Sequence, residues 1–359
     1  MAYEDVKLLG GKSGPAEIER IHLSDEYAGT PAVFEATIRE AGVGPESFAN
    51  FDFPPGTPVE ITANGDSLML ARIDVYNPAY DTNSHAVQVH GYADNREYSR
   101  SSVQHPTGYF ENQSILAIAQ ALGAPLSLIV SAAGSAAARA SEVIPKFQVR
   151  RGLSTPWDEM MRLLPQRGMT IHGDRYGNTE MIAGSSGAHA GGLIQGKNIL
   201  RASAQLSDQN LAQVYGVIGQ AAQGYDSKGT QVYATAPAAG RGYFEFNENS
   251  DTDQARAQQH AIYRAARAGG EAAQATISAP TWRDDNGDFW SAGKSVFVYS
   301  PFLKIENWLT IMKVVFDQDG RSGTVATLTL QNTESVGGET LGGSSWQGTF
   351  SEGGDQGTR

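Results

Sequence analysis

The sequence predicts a mainly β chain of the α+β class, with two β-barrels and a small α/β unit between them. Three observations carry this expectation. Apolar and polar residues alternate through most of the apolar segments, the period of a half-buried strand. The alternation gives way to helical spacing between about residues 105 and 190. A run of turn and strand signals near residue 57 returns, in the same order, near residue 294.

Residues 1–104 read as the first barrel. In Ala32-Val33-Phe34-Glu35-Ala36-Thr37-Ile38-Arg39 the even positions are apolar and three of the four odd ones are polar or charged. Val59-Glu60-Ile61-Thr62 alternates in the same way. Asn64-Gly65-Asp66 is a turn signal ahead of the longer run from Leu68 to Tyr76, which Pro78 is expected to end, and Ser84 to Tyr92 supplies a further strand. Residues 105–190 read as the α/β unit. Asn112 to Leu122 places Ile115, Ile118, Ala119 and Leu122 on one helical face, with Gly123 as the stop. A small-residue loop, Ser131 to Ser141, precedes a strand from Val143 to Val149. Thr155-Pro156-Trp157-Asp158 gives an N-cap, a proline at the first helical position and an acid at the third. Met169 to His172 and Thr179 to Ile182 flank a turn and form a hairpin.

Gly184 to Gly192 has the composition of a boundary loop. Residues 191–332 read as the second barrel: strands at Ile199 to Leu206, Gln213 to Ile218 and Gln231 to Thr235, an inserted helix over 251–268 capped by Ser250 or Asp251 and stopped by Gly269-Gly270, then β text to Asn332. The helix carries an alanine face, Ala257, Ala261, Ala265 and Ala268, that allows close approach to a sheet. Residues 333–359 form a Gly-rich tail whose only large anchors are Trp346 and Phe350.

Composition removes several function classes. The 359 residues carry 27 Lys and Arg against 39 Asp and Glu, a formal charge of −12, with 40% apolar residues and no cysteine. Disulfide scaffolds, thiolate metal sites and cysteine nucleophiles are excluded. The acidic balance argues against whole-chain nucleic-acid binding, which needs clustered cations. No stretch approaches eighteen apolar residues, and the N-terminus lacks a basic region followed by an apolar run, so no membrane span or leader is expected and the chain is read as made in a cytoplasm.

No motif carries chemistry. The segment Gly287 to Ser295 has five residues between its glycines where a phosphate-binding loop needs four, and a strand rather than a helix is expected after it. Asp284-Asp285-Asn286-Gly287-Asp288 and Asp317-Gln318-Asp319-Gly320 could offer oxygens to calcium, but lack the acid ladder of an EF-hand and read as hairpin turns. The seven histidines, His22, His85, His90, His105, His172, His189 and His260, include no i, i+4 pair and no HExxH. There is no GxSxG elbow. No cofactor and no metal are expected. Strand aromatics such as Phe34, Tyr76, Phe297, Tyr299 and Trp308 read as core or interface packing.

The internal echo carries the functional reading. Gly56-Thr57-Pro58-Val59, Leu68 to Tyr76 and His85 to His90 match Gly293-Lys294-Ser295-Val296, Leu309 to Phe316 and Val325 to Leu330 in order and spacing. A protomer with two similar barrels, assembled as a closed trimer, presents six similar barrels around one axis and can face a hexamer on one side and a trimer on the other. Over residues 5–333 the sequence resembles the baseplate hub proteins of Mu-like contractile-tailed phages, related to the T4-type hub and to the hub part of type VI secretion spike proteins. The resemblance rests on Pro145-Lys146-Phe147-Gln148-Val149 followed by Ser154-Thr155-Pro156-Trp157 and the Gly168 to Met181 hairpin, on the 251–268 helix, and on Trp290 to Val296 continuing through Leu309 to Leu330.

That resemblance implies two tail-tube-like barrels per subunit and a non-enzymatic, homotrimeric hub joining the hexameric tail tube, or a distal tail protein, to a trimeric central spike. Other baseplate proteins are the remaining implied partners. DNA would pass through the lumen without specific binding, and the protein would reside in the virion tail. Trp346 and Phe350 are the expected partner-docking anchors. The alternatives are a carbohydrate-binding adhesin module of a tail and, behind it, a tail-associated cell-wall hydrolase.

Overall fold

Strand alternation becomes, in the computed structural model, one thirteen-stranded sheet with three small sheets beside it. The structure describes residues 3–10, 15–29, 31–38, 52–80, 85–209, 211–221, 230–238, 240, 244–249, 253–321 and 323–337.

The first unit contains β1 (Val6–Gly10), β2 (Ala16–Glu26), β3 (Val33–Ile38), β4 (Pro58–Ala63), β5 (Asp66–Tyr80) and β6 (His85–Tyr92). Asn64 and Gly65 join β4 to β5 with φ of 52° and 88°, the left-handed pair that a tight hairpin requires. The strands pair in the order β1-β4-β5-β6-β3-β2, and β1 also pairs with β2, so the six close into a barrel. Its inward residues, among them Leu8, Leu23, Phe34, Ile61, Leu68 and Val89, are buried. The β5 strand runs through Pro78 to Tyr80 instead of ending there. The reason is positional: beyond Arg72 this strand pairs with β6 alone, and an edge tolerates a residue without an N–H.

The α/β unit holds α1 (Arg96–Arg100), β7 (Tyr109–Ser114), α2 (Ile115–Gly123), β8 (Val130–Ala132), α3 (Ala136–Ala140), β9 (Val143–Gln148), α4 (Pro156–Leu163), β10 (Thr170–Gly173) and β11 (Thr179–Ile182). Ser114 caps α2 by accepting from the Ala117 amide, and the Thr155–Asp158 capping box opens α4 with bonds of 3.0 and 3.1 Å. Tyr98, Ile115, Leu122, Met160, Ile171 and Met181 share its own core. The expected loop from Ser131 to Ser141 is partly ordered into β8, which pairs with β11, and α3, where four alanines favour helix.

The second unit is interrupted. It contains β12 (Gly187–Ala188), β13 (Leu193–Ile194) and β14 (Arg201–Leu206). An insert follows with β15 (Val214–Ala221), β16 (Thr230–Pro237), β17 (Phe244–Asn249) and α5 (Gln254–Glu271). Then come β18 (Ala273–Ala279), β19 (Lys294–Ser300), β20 (Ile305–Asp319) and β21 (Gly323–Gln331). The insert forms a separate three-stranded sheet, and Ala257 and Ala261 of α5 pack on its Val217, Ala234 and Ala236. Asp253 caps α5 by accepting from the Arg256 amide, and the helix continues through Gly269-Gly270 to Glu271, past the expected stop. Gly184 to Gly192 is no free linker: β12 and β13 pair in parallel with β19.

The order β19-β20-β21-β18-β14 repeats β4-β5-β6-β3-β2 strand for strand. Both long strands, β5 and β20, have 15 residues, and each shifts register against the strand that follows it, between Ile73 and Val75 and between Ile311 and Lys313; β5 shifts a second time, against β4 at Leu68. The units differ in closure, since among the described residues no pairing carries the second sheet from β12 or β13 back to β14. They join where β2 lies antiparallel to β20.

The first residues of the Gly-rich segment belong to the fold. Thr333–Val336 form a 3₁₀ turn with Thr333, Ser335 and Val336 buried. Trp346 and Phe350 lie outside the described residues.

Candidate functional site

Joining β2 to β20 makes an uninterrupted eight-strand run, β5-β6-β3-β2-β20-β21-β18-β14. Period-two alternation gives this run one apolar face and one polar face. The apolar face carries Ile21 and Leu23 of β2, Phe34 and Ala36 of β3, Val314 and Phe316 of β20, Leu328 and Leu330 of β21, and Ala275 and Ile277 of β18, all buried in one continuous core.

The polar face follows from the same register. Val75, His90, Glu35 and His22 stand opposite one another across the first unit, and Lys313, Thr329, Thr276 and Ser203 across the second. Gln88, Thr37, Ser24, Thr327, Ser278 and Gln205 continue these rows. Hydroxyls and amides predominate, and charges meet across the join: His22 Nδ1 lies 2.7 Å from Asp317, and Lys313 lies 4.0 Å from Glu26. Arg20 of β2 and Arg201 of β14 are exposed on the same face.

Three polar joints fix the sheet to its surroundings. Arg175, in the β10–β11 turn, is 4% exposed; it donates to the Trp290 carbonyl at 2.8 Å and Ser291 Oγ at 3.2 Å, and its Nη1 lies 3.9 Å from Asp25 on β2. Its guanidinium faces the rings of Phe289 and Phe316. Burial raises the Asp25 carboxyl above its ordinary range, with Arg175 and His172 pulling the other way. At a second joint, Arg283 donates to Glu4 at 3.2 Å, Asp66 at 2.8 Å and the Ala63 carbonyl at 3.0 Å, tying the second unit to both ends of the first unit's β4–β5 hairpin and to the N-terminal segment.

At the third joint His189 Nδ1 lies 2.9 Å from Asp284, and His189 Nε2 accepts the Ser291 amide at 3.1 Å. This bonding fixes the neutral tautomer with its proton on Nδ1. Burial pushes the imidazole below its ordinary range, against the opposing bond to Asp284. Burial opposes ionisation of Asp284, but His189 and the amides of Ala190, Asn286 and Asp288 hold its carboxyl below the usual range. The pair resembles a catalytic dyad in composition only, because both ring nitrogens are engaged and no hydroxyl meets Nε2.

The sequence-level candidates fall into place around these joints. Asp284 serves as the Asx-turn acceptor for Asn286 and Asp288, and Asp319 accepts from the Arg321 amide, so both acidic segments are built as turns. Gly293 leads into β19, a strand. His105 accepts from the Gly108 amide and stacks on Phe110. Phe34 is core, Tyr76 packs at the core margin, and Phe297 and Trp308 form a ring pair at 5.8 Å. A cleft of about 470 Å³ between β2, β20 and α5 contains Arg267, Glu271, Lys313 and Glu26, whose charges face one another. Among the described residues no group of three or more His, Asp or Glu could hold a metal ion, and no helix is long and apolar enough to cross a membrane. The sequence alone did not single out Arg175, Asp25 or Arg283; the one signal was an arginine inside a turn, which reads as solvated.

No family model matches the sequence, and no curated protein matches it. Solved structures do match its fold. A 43 kDa tail protein of prophage MuSo2 from Shewanella oneidensis aligns with a TM-score of 0.77 and 20% identity, covering 92% of this chain and 99% of the other. A tail protein from Neisseria meningitidis aligns with a TM-score of 0.76 and 17% identity over 94% of this chain and 100% of that one. An E. coli component of the type VI secretion system, described as structurally similar to T4 bacteriophage tail proteins, aligns at 0.56 with 13% identity over 90% and 76% of the two chains. Over nearly its whole length, therefore, the chain has the fold of prophage tail proteins, the group its sequence resembles.

Proposed function

We propose that this chain is a structural, non-enzymatic hub of a phage-type tail. Three copies close into a ring of six similar five-stranded units, one face of the ring meeting a hexameric tail tube and the other a trimeric spike, within the virion. The observation that carries the reading is the repeated strand order with its matching register shift, two units set side by side through β2 and β20. A closed threefold arrangement of such a protomer approximates sixfold symmetry without any change of sequence. The predominance of hydroxyls and amides on the polar face of the eight-strand run, in a chain of formal charge −12, supports a lumen lining for DNA passage.

Against a hydrolase stands the engagement of the buried His189–Asp284 pair by the backbone. The exposed aromatics among the described residues are Tyr3, Tyr80, Tyr109, Tyr176, Tyr233, Phe244, Tyr299 and Phe302, of which Tyr233 and Phe244 share the insert's sheet; glycan affinity is therefore left to the test below. The division of the chain at residues 104, 190 and 332 belongs to this proposal, as does docking of Trp346 and Phe350 on the spike. A chain ended after Gly337 should keep its fold and lose spike attachment; attachment at full strength would remove those anchors from the account. The hub reading itself is tested by native mass spectrometry of the purified protein with and without its tail tube. Three copies per ring are expected, and a stable monomer with affinity for glycans would overturn it.

A further inference from the structure

The polar face of the eight-strand run holds one charge in the same place in both units. The row from Val75 to His22 corresponds to the row from Lys313 to Ser203, because Val75 and Lys313 are each the first residue after the shift against the next strand. The adjoining rows on this face are then Asn77, Gln88, Thr37 and Arg20 in the first unit, and Val315, Thr327, Ser278 and Arg201 in the second. Only the last position of these rows carries the same residue twice, and that residue is arginine.

Both arginines are free to meet a ligand. They are exposed, and among the described residues neither joins an ion pair, whereas Lys313 and His22 on the same face stand beside Glu26 and Asp317. A shallow cleft of about 350 Å³ reaches both arginines, and its acids are engaged elsewhere: Asp317 meets His22, and Asp319 accepts from the Arg321 amide. The two positions also fall at one height in a ring. Arg20 lies one residue before the Ile21–Gln318 pair, level with Asp319, four residues along β20 from the Val315 that begins the second row. Four residues span about 13 Å along a strand, and the four strand spacings from β2 to β14 span about 19 Å. A strand tilt of about 35° to the ring axis cancels that stagger, and closed barrels adopt such tilts.

We infer that Arg20 and Arg201 of three copies form a girdle of six guanidinium groups at one level of the lumen, and that its ligand is the phosphate backbone of DNA. This inference rests on the ring reading above and adds to it a level at which the passage holds what passes. A guanidinium presents a planar fork of donors that matches phosphate oxygens, and such contacts carry no base sequence. A duplex has one charge per about 1.7 Å of its axis and offers phosphates on every side at any height, which suits cations set all round one level. A single acidic peptide would face one side of the girdle only. Hydroxyls and amides predominate on the rest of the face, so the contact is local and the duplex can still slide.

The test is the salt dependence of binding between the purified ring and a labelled duplex of about 30 base pairs, read by fluorescence anisotropy, with native mass measured on the same samples. With six phosphates neutralised, affinity should fall about a thousandfold between about 50 and 200 mM salt. Arg20→Gln and Arg201→Gln each remove three contacts, and both should show the same smaller fall, about fortyfold. The double variant should form rings that bind no duplex even at the lower salt. The control Lys146→Gln/Arg151→Gln, which removes two exposed cations of the α/β unit, should match the unaltered protein. Rings of three copies that ignore the duplex, a double variant that still binds it, a loss confined to one arginine, or an equal loss in the control would overturn the girdle and leave the ring standing. Rings that ignore the duplex but bind poly-glutamate through these arginines would overturn DNA as the ligand. A monomer, or a ring of another copy number, would overturn both ring and girdle.

Discussion

Strand β2 of the first unit and β14 of the second hold the same place in the same strand order, yet the alternate residues of one are buried and those of the other lie open. Leu23 is fully buried, whereas Leu206 is 47% exposed. The difference does not come from the strands themselves. It comes from what stands beside them: β2 has β20 on one side and is closed from β1, while β14 is the end of its sheet. A repeated unit thus buries the same strand in one place and leaves it exposed in the other, according to its neighbours.

Breaking the joint between the units should have the largest effect. Arg175→Met leaves the buried Asp25 carboxylate without its partner and should cost about 3–5 kcal/mol, read from a urea midpoint. Leu23→Ala opens a cavity inside the covered edge and should cost about 3 kcal/mol at any protein concentration. Leu206→Ala, at the bare edge, should change the stability of the isolated protomer by less than about 0.5 kcal/mol. That contrast between two leucines separates a strand buried within the chain from one left exposed; equal losses in the isolated protomer would erase the distinction.

Acid sharpens the comparison at the second unit. Burial holds the His189 and His260 imidazoles below their ordinary range. The unfolded chain therefore takes up protons where the folded one does not. Stability is complete above the unfolded histidine value of about 6.5 and is lost as pH falls below it, until the folded histidines titrate. Asp284, held low by His189 and three amides against the effect of burial, adds a loss of the same sign below about pH 3.9. Melting temperatures between pH 7.5 and 4.5 should fall, and fall less steeply for His189→Gln. The smallest effect belongs to Glu26→Gln: its partner Lys313 stands 4.0 Å away with both side chains about 40% exposed, so chemical denaturation should register less than about 0.5 kcal/mol.

Much of this architecture could be read from the residues because alternation reports burial directly. Val59 to Thr62, Leu68 to Tyr76 and His85 to His90 named their strands, and their echo at residues 293–330 named the repeat. Thr155 and Asp158 announced a helix start that the structure builds as a capping box. What escaped was the pairing of edges. The contact between β2 and β20 is made by backbone groups, which leave no mark in the sequence, and the closure of the first barrel by β1 is of the same kind. Arg175 escaped because a turn arginine normally faces water; here two units and a hairpin converge on it. The strand through Pro78 escaped for the reason that makes it informative, since proline is tolerated where one side of a strand is bare. Trp346 and Phe350 fall outside the described residues.

The central claim is that a protomer with two side-by-side units supplies a six-unit collar from three copies. Symmetry-resolved electron microscopy of the assembled collar tests it most directly. The account predicts three chains supplying six similar units around the axis, with the β2–β20 contact made once within each chain. A collar of six chains, or one in which the two units of each chain do not take adjacent places around the axis, would contradict it.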